Sequence, residues 1–261
     1  MITDFLSLPS LPEKPRSTGL THVLDKGMTL GSMEDSLSSY AEFADVWKFG
    51  WGTAYVERLL ASKIGLLREQ GVTACLGGTL LEIAWSQGRA SECLQWAELA
   101  GFTAVEVSRG TVDMSLEAKW ELIRSSAQSF MVFAETGYKS AELLLTPAQW
   151  HFEITGDLAA GADYIVAEGR ESGTVGLYDS NGIPLTEVID AAQQAAGLDR
   201  VLFEAPRKDQ QAWFINRYGP EVNVGNVAPE DLLPLQTLRL GLRADTAMIS
   251  LVAPLSSGAH R

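Results

Sequence analysis

Eight short apolar runs of β type, each followed by a longer stretch with helical spacing, constrain this 261-residue chain more than any other feature. The runs fall at 21–24, 45–49, 72–76, 104–107, 131–134, 164–167, 201–203 and 222–224. Most lack the apolar-polar alternation of a sheet with one wet face, as expected of parallel strands covered by helices. Strand and helix alternate without a return to hairpins, which predicts consecutive βα units. Eight of them close as a single α/β domain, a (β/α)8 TIM barrel spanning 1–261, in preference to an open doubly wound sheet.

The intervening segments carry helix signals. Val56, Leu59, Leu60, Ile64 and Leu67 repeat at 3/4 spacing before Gly71, and Leu94, Ala97, Glu98 and Leu99 lead to Gly101, a C-terminal stop. Thr146 followed by Pro147 is an N-cap with proline at the first helical position. Ser32 with Asp35 resembles a loose capping box, and Pro229 is followed by Glu230 and Asp231, acids placed for a first turn. Residues 1 to about 19 and about 244 to 261 show no sustained pattern and are expected to be flexible or extended arms.

Composition narrows the partners. The net charge of -13 and the absence of a Lys/Arg cluster remove the electrostatic footprint of a nucleic-acid or anionic-membrane binder. An anionic ligand must therefore be met by local basic groups. The two cysteines, Cys75 in a strand pattern and Cys93 in a helix pattern, read as buried thiols and not as a disulfide framework. No basic segment leads into an apolar one at the N-terminus, and no run of about 18 apolar residues occurs, so a cytoplasmic protein is expected. Barrels of this kind commonly associate, so a homo-oligomer is expected too.

In such a barrel the site lies at the C-terminal ends of the strands. Those ends are charged: Asp25-Lys26-Gly27, Lys48 with Gly50-Trp51-Gly52-Thr53, Gly77-Gly78-Thr79 with Glu82, Glu106 with Ser108 and Arg109, Glu135 with Gly137 and Lys139, Glu168 with Arg170-Glu171-Ser172-Gly173, Glu204 with Arg207, and Gly225-Asn226. Any one such residue is as readily an ordinary surface charge, but seven of the eight strands delivering them to one rim form a constellation. Clustered carboxylates with interleaved lysines suit a hard divalent cation such as Mg²⁺, with the basic groups meeting an anion. The rim glycines either allow close backbone approach to a phosphate or simply make tight turns. Trp51 either walls the site from water or packs on the rim, with packing slightly favoured. HExxH, paired CxxC, GxSxG, P-loop and GxGxxG signatures are absent.

Lys14-Pro15-Arg16 with Gly19-Leu20-Thr21, Asp25-Lys26-Gly27 and Lys48-Phe49-Gly50-Trp51-Gly52-Thr53 resemble the opening motifs of phosphosulfolactate synthases. The likeness continues through Gly77-Gly78-Thr79-Leu80, Glu106-Val107-Ser108, Arg170-Glu171-Ser172-Gly173, Glu204-Ala205-Pro206 and Asn223-Val224-Gly225-Asn226-Val227. The resemblance implies a Mg²⁺-dependent barrel lyase that adds sulfite to phosphoenolpyruvate, a small phosphorylated anion, giving 2-phospho-3-sulfolactate on the coenzyme M route. By position at the strand ends, Lys48 or Lys139 is expected as the proton donor, with Glu135 also in the catalytic set. Asp25, Glu168 and Glu204 become metal ligands, and Arg16, Lys26, Arg170, Ser172, Arg207, Gly225 and Asn226 substrate contacts. Two positions depart from the family pattern: Tyr138 stands where a second lysine is expected, and Arg109 where Asp or Asn is usual. These departures keep open a different nucleophile on an enol phosphate, and a non-catalytic stress-associated member is the third reading.

Overall fold

A computed structural model describes residues 5–137 and 145–252. Its strands are β1 (Thr21–Asp25), β2 (Val46–Phe49), β3 (Thr73–Leu76), β4 (Ala104–Val107), β5 (Met131–Thr136), β6 (Tyr164–Ala167), β7 (Val201–Glu204) and β8 (Val224–Val227). All pair in parallel with their sequence neighbours, and β8 returns to β1, so the sheet closes as the expected eight-stranded barrel. The largest shift from the sequence reading is at the eighth strand, which starts two residues later because Asn223 is used as a staple. Its Oδ1 accepts from the Leu20 N–H, and its Nδ2 donates to the carbonyl of Val201.

The helices are α1 (Leu30–Tyr40), α2 (Thr53–Val56), α3 (Leu60–Glu69), α4 (Gly78–Ser86), α5 (Ala90–Ala100), α6 (Leu116–Ser126), α7 (Pro147–Ala160), α8 (Thr186–Ala196), α9 (Lys208–Tyr218), α10 (Leu232–Arg239) and α11 (Ala247–Val252). The capping chemistry explains several boundaries. Thr146 and Gln149 form a reciprocal capping box on α7, and Gly101, in the left-handed region, stops α5. Thr29, not Ser32, caps α1, because the helix begins at Leu30 and leaves Ser32 inside its first turn. Val56 and Leu59 do not share the stripe of α3. The Glu57 carboxylate accepts from the Leu59 N–H and pairs with Lys63, breaking the segment between α2 and α3.

Two apolar layers hold the barrel. Outward strand residues such as Trp47, Phe49, Val105, Ile165 and Phe203 pack on the helices. Inward residues Val46, Cys75, Ala104, Phe133, Val166 and Leu202 fill the interior. That filled interior is a floor and not a pore. A Cβ at Gly225 would stand 2.2 Å from Leu202 Cδ2, so interior packing favours glycine there.

The N-terminal arm is pinned beneath this floor. Lys14 Nζ donates to the carbonyls of Ala41 and Ala44, and Arg16 Nε lies 3.0 Å from Asp45 Oδ1. Arg16 precedes β1 and is therefore at the opposite end of the barrel from the C-terminal rim, which removes it from the expected substrate contacts. At the other end of the chain the buried Arg239 donates to the carbonyls of Val222 and Leu20, tying α10 to the β8 and β1 entries. The segment after 244 is not patternless, since α11 forms there.

His22 is fully buried in the interior, 5.5 Å from the Phe133 ring, with neither ring nitrogen hydrogen-bonded among the described residues. Burial, reinforced by the Lys48 charge, lowers its pKa to about 3. The unfolded chain takes up this proton near 6.5, whereas the folded one does not until about 3. Stability from this residue is therefore complete above 6.5 and lost as pH falls through that window, at about 1.4 kcal/mol per pH unit. We expect His22→Phe to flatten the acid limb of stability between pH 6 and 4, measured by urea unfolding at a series of pH values.

Candidate active site

The polar layer above the floor follows from strand alternation. Lys48, Glu106, Glu135 and Glu204 each stand two residues beyond an inward apolar residue, Val46, Ala104, Phe133 and Leu202, and so point inward again. With Glu168, at the end of β6, they line a cavity of about 240 Å³ at the C-terminal rim. Leu24, Trp51, Gly77, Gly78, Thr79, Thr111, Arg170, Glu171 and Asn226 contribute to its walls.

Lys48 is the centre of this layer. Its Nζ donates to Glu106 Oε2 at 2.8 Å and to Glu204 Oε1 at 3.3 Å. Burial by itself would lower the lysine pKa, but the charges of Glu106, Glu204 and Glu135 outweigh it and hold the pKa well above the ordinary value. The ammonium is therefore a fixed positive charge. The carboxylates are aimed by backbone donors: Gly78 N–H bonds Glu106 Oε1 at 3.1 Å, and the N–H groups of Gly169 and Arg170 bond Glu204 Oε2 at 2.9 and 3.0 Å. A Cβ at Gly78 would meet Ser108 Oγ at 2.3 Å, so glycine is what lets this amide reach Glu106. Oxygens of Glu106, Glu135 and Glu204 lie within 4.8 Å of one another, and all three residues are buried. Among the described residues this is the one such group, and three hard oxygen donors suit Mg²⁺.

Residues 9–245 match the family described as (2R)-phospho-3-sulfolactate synthase (ComA). The phosphosulfolactate synthase of Methanothermobacter thermautotrophicus is 40% identical over 249 residues, covering 93% of this chain and 96% of that protein. The chain belongs to the phosphosulfolactate synthase family. The Bacillus subtilis and Methanocaldococcus jannaschii phosphosulfolactate synthases are 37% and 42% identical, covering 94% and 87% of this chain and 99% and 93% of those proteins. Solved structures share the fold alone. A 3-hexulose-6-phosphate synthase superposes with a TM-score of 0.54 at 14% identity, covering 89% of this chain and 96% of that one. DHDPS from Cyanidioschyzon merolae gives 0.58 at 11%, covering 90% and 80%.

Within this member of the phosphosulfolactate synthase family, the expected site residues divide by geometry. Lys48, Glu135, Glu168, Arg170, Glu204 and Asn226 line the cavity. Lys139 and Tyr138 lie outside the described residues. Asp25 is turned away, because Leu24 pairs with the inward Lys48, so Asp25 pairs with the outward Phe49. Its carboxylate accepts from the N–H groups of Gly27 and Met28 and from Trp47 Nε1, which makes it a turn staple and not a cavity-facing ligand. Ser172 is exposed and bonded to Thr174, and Arg207 is half-buried and paired with Asp209; neither lines the cavity. Glu168 faces the cavity but is not one of the three clustered carboxylates. Glu106 takes that place; its inward spacing on β4 was visible in the sequence, but its convergence with Glu135 and Glu204 was not. Trp51 is exposed and is among the residues that line the cavity.

Arg109 faces the helical layer. Its guanidinium bonds Glu153 at 2.8 and 3.2 Å, and Lys119 Nζ joins Glu153, Asp157 and the backbone carbonyl of Glu135 at 2.9, 2.7 and 2.7 Å. Burial raises Asp157 to about 6 against the pull of Lys119, whereas Lys119 and Arg109 together hold Glu153 low despite its burial. The departure at 109 therefore belongs to a buried network that clamps the end of β5 from behind. We expect Lys119→Met to destabilise the protein by about 3–5 kcal/mol by leaving the buried Asp157 carboxylate without its cation. Adding Asp157→Asn should recover part of the loss, and urea unfolding of both variants checks it.

Proposed function

We propose that this cavity catalyses Mg²⁺-assisted addition of sulfite to phosphoenolpyruvate, forming 2-phospho-3-sulfolactate by C–S bond formation. The observation that carries the reading is the buried set of Glu106, Glu135 and Glu204 around the Lys48 ammonium, on a chain of this family. Those three carboxylates are the residues to hold the metal, with Glu168 beside them. Mg²⁺ bound there supplies Lewis-acid stabilisation of negative charge on a substrate carboxylate.

The chain's own groups account for the remaining needs. The sulfur lone pair of sulfite bonds the methylene carbon of phosphoenolpyruvate, and the displaced π pair spreads from C2 into the substrate carboxylate. Lys48 is pre-oriented at the cavity floor with its charge fixed, the arrangement that favours a developing enediolate without reorganisation. A proton delivered to C2 by a general acid completes the addition with the phosphate ester intact. Arg170 supports the phosphate as a second cation in the wall. The apolar floor keeps water from the reacting atoms below, which strengthens each of these charges.

Phosphorus NMR of the purified protein with phosphoenolpyruvate, sulfite and Mg²⁺ tests the reading. A new phosphate-ester resonance that EDTA abolishes is the expected result, and its absence from folded, metal-replete protein rejects sulfite addition in favour of another nucleophile. Lys48→Met should lower kcat by about 10²- to 10³-fold, the scale for losing one preorganised electrostatic group.

A further inference from the structure

Among the described residues, three that are not glycine have positive φ: Trp51 (54°), Arg170 (56°) and Asn226 (53°), and all three line the same cavity. Backbone of this kind persists only where its surroundings force it, and it concentrates at ligand-contacting positions. Trp51 is the most telling of the three because its side chain is a large aromatic. It forms a four-residue turn with Gly50, Gly52 and Thr53, closed by Thr53 N–H on the Gly50 carbonyl at 3.0 Å, with Gly52 also left-handed at 70°. The turn is anchored to β1 by Gly50 N–H on the Asp25 carbonyl at 2.9 Å, and a Cβ at position 50 would meet Leu24 at 2.5 Å.

The strained turn delivers an indole that is 55% exposed, at a cavity mouth where an apolar ring gains little from burial. Lys26 Nζ lies 5.8 Å from the centre of that ring. The cavity walls hold more carboxylates than cations, in a protein already carrying -13, so an anion approaching from solvent is repelled until it reaches a positive group. A lysine on a flexible stem is a poor anchor unless something fixes its position.

We propose that Trp51 is a positioning residue that, through its ring face, holds the Lys26 ammonium at the cavity mouth to receive the phosphate of the incoming anion. The proposal rests on the phosphorylated-substrate reading above. It explains why the chain tolerates left-handed backbone at a tryptophan whose ring faces solvent.

The test compares wild type with Trp51→Gly, Trp51→Phe, Lys26→Met and the Trp51→Gly/Lys26→Met double variant. Binding of inorganic phosphate and of phosphoenolpyruvate to Mg²⁺-replete protein is measured by calorimetric titration, alongside steady-state turnover. We expect Trp51→Gly to weaken both ligands and raise KM about three- to fivefold, with the change falling on KM more than on kcat. Trp51→Phe should fall between it and wild type, and the double variant should be no weaker than Lys26→Met. Trp51→Gly should also melt no lower than wild type, since glycine adopts this backbone freely. Unmoved phosphate affinity and KM in Trp51→Gly, single effects that add in the double variant, or a lowered melting temperature with ligand binding intact would each overturn the proposal. Wild-type protein that binds phosphate without consuming phosphoenolpyruvate and sulfite would reject the sulfite reading, and the phosphate affinities of the variants would still decide the role of Trp51. Wild-type protein that fails to bind millimolar phosphate overturns the role as well.

Discussion

Everything at the rim depends on one desolvated charge, the Lys48 ammonium, surrounded by the carboxylates of Glu106, Glu135 and Glu204. Buried acids repel one another and lose hydration, and both effects cost free energy. A single cation among them offsets both effects and fixes their directions, and backbone N–H groups from Gly78, Gly169 and Arg170 complete the orientation. The layer is thereby organised before any ligand arrives. Lys48 and these carboxylates form one electrostatic unit.

Two supports keep this unit in place. Below it, Val46, Cys75, Ala104, Phe133, Val166 and Leu202 fill the barrel, so the charged side chains have no route downward. Behind β5, Lys119 grips the Glu135 carbonyl while bridging Glu153 and Asp157, which couples the end of β5 to α6 and α7. Ion pairs of this sort add little net stability relative to an apolar replacement, but they specify geometry strongly because any partial arrangement leaves a buried charge alone. Arg109 extends the same network, which explains why a residue that departs from the family pattern sits well without facing the cavity.

Much of the barrel could be read from residue order. The runs at 104–107 and 164–167 match β4 and β6 residue for residue, and the Thr146-Pro147 cap and Gly101 stop lie where capping chemistry placed them. Those signals are local: a short apolar run, an N-cap oxygen, a glycine free to go left-handed. The errors had tertiary causes. Asn223 looked like strand and serves as a staple, Ser32 yielded to Thr29 because the helix starts one turn earlier, and Val56 and Leu59 left the α3 stripe when Glu57 turned toward Lys63.

The site divides in the same way. Sequence by itself determined the eight βα units, the charged strand ends and the family, because periodicity and motif order are properties of neighbours along the chain. It also placed Lys48, Glu135, Glu168, Arg170, Glu204 and Asn226 at the cavity. Only the tertiary structure decided that Arg16 lies at the far end, that Asp25 faces outward as a turn staple, that Ser172 bonds Thr174 and Arg207 bonds Asp209 away from the cavity, and that Glu106 joins the carboxylate set. Barrel closure and strand register fix which of two adjacent residues points inward, and a one-residue difference reverses the face. A list of charged strand ends carries no information about that choice.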